Sequence, residues 1–119
     1  MPIPVFPAPT IGELQVFKAE FFRALAHPVR IRLLEELGAR ERTVQELQSA
    51  LGVAQPLVSQ QLAVLRGRQL VSARKVGATM VYSLRDPLLT ELLTVARRIF
   101  DNHLTDTTAM LRALRREKH

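Results

Sequence analysis

Apolar side chains recur at steps of three and four along most of this chain, the spacing that lines one face of an α-helix. The first stripe starts at Ile11 and runs through Leu14, Phe17, Phe21 and Leu25, with Phe22 widening it. Pro28 suits the first turn of a second helix, which Val29, Leu33 and Leu37 mark out and Gly38 closes. Thr43-Val44-Gln45-Glu46 has the form of a capping box, in which the hydroxyl and the carboxylate each accept the other residue's backbone amide. A third helix is therefore expected through Leu47 and Leu51 to Gly52, a natural left-handed stop. After Val53-Ala54 a fourth helix carries Pro56 in its first turn, points Val58, Leu62 and Leu65 inward, and ends near Arg66.

Between Leu70 and Leu84 the period changes to two. Met80, Tyr82 and Leu84 alternate with Val81 and Ser83, and Val76-Gly77-Ala78 supplies a hairpin tip, so a two-stranded ribbon is expected. Asp86-Pro87 reads as an N-cap and first-turn pair that opens a long helix through Leu89, Leu93, Ala96, Phe100 and Leu104 toward Leu111 and Leu114. Residues 1–10 hold four of the seven prolines and are expected to form a flexible arm, leaving residues 11–119 as a single domain. The expected fold is mainly α: four helices, a β hairpin and a long fifth helix, with no internal repeat.

Composition narrows the function. Seventeen Lys and Arg against eleven Asp and Glu leave a net charge of +6, which points to a polyanionic partner. Cysteine is absent, which excludes disulfides, thiolate metal sites and cysteine nucleophiles. No apolar run reaches the roughly 20 residues that span a bilayer. The amino terminus also lacks the basic region and cleavage site of a signal peptide, so a cytoplasmic location is expected. Paired carboxylates on a defined scaffold, a Ser-His-Asp spacing and a phosphate-cradling glycine loop are all missing, and the three histidines are scattered, which argues against an enzyme.

The informative stretch is Thr43 to Leu84: a capped helix, a glycine turn, a helix with polar outward positions, then a basic hairpin. That order is the pattern of a winged helix-turn-helix. Glutamine can pair with the major-groove edge of adenine, and serine serves base or phosphate. The expected DNA-contacting set is Gln55, Pro56, Ser59, Gln60 and Gln61 on the fourth helix, with Arg66, Arg74 and Lys75 holding phosphates. Arg68 adds to the same charge, and no acidic residue interrupts Gln55 to Gly77. The alternative is a winged helix that docks a protein through the same surface.

Three segments in order, FRALAHPVRIRLLEEL, TVQELQSALGVAQPLVSQQLAVLRGRQLV and ARKVGATMVYSL, resemble the second-helix, helix-turn-helix and wing signatures of the arsenic-repressor (ArsR/SmtB) family. The resemblance covers nearly all of the chain from Phe21 onward. It implies a repressor that binds an inverted-repeat operator in duplex DNA as a homodimer built mainly from the first and fifth helices. The three-four rhythm of Leu89, Leu93, Ala96, Phe100, His103 and Thr107, continued by Met110 and Leu114, agrees with a shared seam, to which Phe17 of the first helix adds. The chain departs from the family pattern at His27, Ala54, Gln61, Arg68-Gln69 and after Gly77. Gln69 stands where the family has glycine, so that turn must be strained or reshaped.

Many relatives sense metals. Of the family's fifth-helix ligands, Asp86 matches the first, but Leu88, Ile99 and Asn102 occupy the others, and Asp86 is better explained as a helix cap. No cofactor is required by the sequence. A nickel or zinc site formed across the dimer by Asp101, His103 and Asp106 is the metal-responsive alternative, and control by an organic inducer or by a separate sensor protein is the other.

Overall fold

The computed structural model describes residues 12–117, so the proline-rich arm lies outside the described residues. The remaining chain comprises two compact units, ending and beginning at Arg85 and Asp86.

The body contains α1 (Glu13–Leu25), α2 (Pro28–Ala39), β1 (Arg42–Thr43), α3 (Val44–Leu51), α4 (Gln55–Gly67), β2 (Val71–Val76) and β3 (Thr79–Leu84). Its core is the inward stripe of three helices closed by the first residue of the hairpin. Leu33 and Leu34 of α2, Leu47 of α3, Val58, Leu62 and Leu65 of α4, and Val71 of β2 are essentially fully buried. From α1 only Ala24 and Leu25 join them, while Leu14, Phe17 and Phe22 of its apolar stripe stay exposed.

Local chemistry sets the element ends. His27 Nδ1 accepts the Val29 N–H at 3.1 Å, so the imidazole caps α2 ahead of Pro28. Thr43 Oγ1 accepts the Glu46 N–H at 3.2 Å and Glu46 Oε1 accepts the Thr43 N–H at 3.1 Å, which completes the capping box of α3. Gly52 closes that helix at φ 68°, its amide donating to the Gln48 carbonyl at 2.8 Å. Between α4 and β2 the turn carries its strain on a residue other than glycine: Gln69 adopts φ 61°, the left-handed region that costs an L-residue about 1–2 kcal/mol.

The sheet differs from the sequence expectation. It has three strands in the order β1-β3-β2, all antiparallel, because Arg42 and Thr43 pair with Tyr82 and Val81 on the free edge of β3. Two residues are too few to display a period of two, which is why this strand is invisible in the sequence. A clamp holds it against α2. Arg42 Nε donates to the Glu36 carbonyl at 3.0 Å and Arg42 Nη2 meets Glu36 Oε2 at 3.1 Å, while Arg32 Nη2 takes the other carboxylate oxygen at 3.1 Å.

The second unit is α5, Leu88–Glu117. Its 30 residues give a rod of about 45 Å. Asp86 Oδ1 accepts the Leu88 N–H at 2.9 Å, which makes Asp86 the cap of this helix. Val95, Ile99, Phe100, Leu104, Met110, Leu111 and Leu114 are exposed along it.

Candidate nucleic-acid interface

The helix-turn-helix is made by α3, the left-handed turn at Gly52 and α4. On α4, Gln55, Pro56, Ser59, Gln60, Ala63 and Arg66 are exposed. At about 100° per residue these positions fall within an arc of about 140°. The face is polar, uncharged over its first turns and basic at its end. Ala63 lies near its middle and was not singled out from the sequence, where alanine carries no chemical signal; its methyl group suits contact with a thymine methyl.

Gln61 is not on that face, which corrects the expected contact set. It is only 9% exposed, lies on the side of α4 that carries Val58 and Leu65, and its Oε1 is buried with no hydrogen-bond partner. The position falls at the edge of the buried arc, where polarity alone misassigned it. Gln61 is therefore a core residue and not a groove-reading one.

The hairpin of β2 and β3 forms the wing, turning at Gly77 with φ 62°. Arg74 pairs with Val81 and Lys75 with Met80, so the two cations project from opposite faces of the ribbon. They also differ in company. Arg74 forms an ion pair with Glu41, whereas among the described residues Lys75 and Arg66 have no acidic partner. Arg68 Nη1 lies 3.6 Å from Glu20 Oε2, tying the end of α4 to α1.

Of the expected dimer residues, Phe17 and Phe100 are 71% and 62% exposed, and His103 and Thr107 are exposed too. Leu93 and Ala96 are half-buried, and Leu89 is buried within the single chain, so it lies outside the exposed stripe. Beside α1 a groove of about 390 Å³ is lined by Val16, Phe17, Phe21, Ala24 and Leu70 together with Glu13, Glu20 and Arg68. Asp101, His103 and Asp106 are all exposed on α5, and no group of three or more potential ligand side chains lies together among the described residues. No helix among those residues is long and apolar enough to cross a membrane.

Comparison with known proteins agrees with this geometry. The family model for bacterial regulatory proteins of the arsR family matches residues 27–73, which run from the cap of α2 into β2. The chain is 48% identical over 103 residues to the uncharacterized HTH-type transcriptional regulator Rv0081 of Mycobacterium tuberculosis, covering 86% of this chain and 90% of that one. It is 41% identical over 90 residues to the HTH-type transcriptional repressor SmtB of the same organism, covering 76% and 67%. The crystal structure of Rv0081 matches with a TM-score of 0.76 at 46% identity, covering 82% of this chain and 99% of that chain. A homodimeric winged helix-turn-helix DNA-binding domain, Mb0332 from Mycobacterium bovis, matches with a TM-score of 0.70 at 27% identity, covering 82% and 94%. The fold is a winged helix-turn-helix. The chain belongs to the arsR family of bacterial regulatory proteins.

Proposed function

We propose that this protein is a DNA-binding transcriptional repressor that acts as a homodimer on an inverted-repeat operator. The observation that carries the reading is the exposed polar face of α4, free of acidic residues from end to end and set beside a cationic wing. In this reading α4 enters the major groove, Gln55, Ser59 and Gln60 address base edges, Ala63 lets the helix lie close, and Arg66 and Lys75 hold phosphates. The exposed apolar faces of α1 and α5 supply the surface that a second subunit would cover. The homodimeric state of the Mb0332 domain and the repressor role of SmtB support the same assignment.

A pair of substitutions tests it. Gln60→Ala should cost about 1–3 kcal/mol of discrimination at one base step, while Lys75→Ala should weaken all duplexes alike and flatten the salt dependence. Identical, uniform effects of both changes would sink the assignment of α4 as the reading helix.

A further inference from the structure

Arg74 is the one wing cation with an acidic partner among the described residues, and that partner comes from a distant part of the sequence. Glu41 immediately precedes β1, and β1 and β2 flank β3 on its two edges. Thr43, Val81 and Arg74 share one row across the sheet, while Arg42, Tyr82 and Ala73 share the next. Side chains alternate between faces, so Glu41, two residues before Thr43, stands on the same face as Arg74. The carboxylate and guanidinium meet over β3. Both side chains remain about half exposed, at 47% and 58%, so the pair lies open to solvent and adds little to stability.

A guanidinium presents the same fork of N–H donors to a carboxylate as to a phosphate. We infer that Glu41 stands in for a DNA phosphate, holding Arg74 in the free protein and yielding it to the duplex backbone on binding, so that Glu41 sets the protein's affinity for all duplexes. This rests on the DNA-binding reading above. When Arg74 turns to a phosphate, the Glu41 carboxylate is left without its partner beside a polyanion. Both effects oppose binding without reference to base sequence. Unlike Lys75, Arg74 therefore contributes less than a full cation to the interface.

The test uses the full chain and a labelled DNA duplex of mixed sequence, titrated by fluorescence anisotropy at several salt concentrations. Glu41→Gln should tighten binding on the order of threefold to tenfold at low salt and steepen the plot of log affinity against log salt by about 0.9, the value of one additional phosphate contact. Adding Arg74→Ala to Glu41→Gln should abolish the gain. Thermal melting of each variant shows that it is folded. Unchanged or weaker binding by folded Glu41→Gln, while Lys75→Ala still weakens every duplex, overturns the role of Glu41 and leaves DNA binding intact. Absence of duplex binding by wild type and all variants at low salt overturns both.

Discussion

Replacing Gln61 with Met separates a core role from a DNA-reading role. Gln61 is 9% exposed and its carbonyl oxygen has no partner, so the folded state carries a desolvated acceptor that would be hydrated in the unfolded chain. Such a group costs about 1–3 kcal/mol. Methionine has nearly the same length and shape, and volume-conserving exchanges in a core cost less than about 1.5 kcal/mol. The net expectation for Gln61→Met is a gain of about 1 kcal/mol. Urea unfolding at a fixed protein concentration measures it, and the midpoint should rise with an unchanged slope. In operator titrations the same variant should keep its base preference, because the side chain does not face the groove. A drop in stability would refute the packing argument. Altered base preference at one step would place Gln61 at the duplex after all.

Three further outcomes follow from local geometry. Gln69→Gly should raise stability by up to about 1 kcal/mol, since glycine removes the left-handed penalty at φ 61° but loses more entropy on folding; calorimetry checks it. The Glu46 carboxyl is held below its ordinary value of 4.5, first by the hydrogen bond from Arg40 at 2.7 Å and then by the Thr43 amide. Its contribution to stability should be complete above pH 4.5 and fade as the pH falls through the lowered value, so acid unfolding of Glu46→Gln should lack that component. Phe100→Lys should yield monomers in sedimentation velocity and abolish operator binding, because a charge would enter the proposed seam; an intact dimer would move the interface off this part of α5.

The legible parts of this protein are those decided within a few residues. Helix starts at Pro28, Thr43 and Asp86 depend on hydrogen bonds that span two or three positions, and each forms as read. The same holds for the stop at Gly52 and the hairpin at Gly77, where a positive φ is needed. Periodicity likewise identified the inward stripe of α4 and most of those of α2 and α3, where Leu34 was missed and Val29 and Leu51 are only half-buried.

Gln61, β1 and Glu41 escaped for a common reason. A glutamine at the edge of a helical arc is buried or exposed according to the neighbour that packs there, and neither its type nor its spacing carries that information. A two-residue strand exists only because β3 offers an open edge and Glu36 anchors Arg42. That pairing carries Glu41 from its place 33 positions before Arg74 to the guanidinium. The sequence alone determined the helices, their caps and the winged helix-turn-helix that follows from them, because each is set by short-range hydrogen bonding and periodicity. Which polar groups of α4 reach the surface and which wing cation meets a carboxylate were decided by tertiary structure, because both depend on contacts between segments remote along the chain.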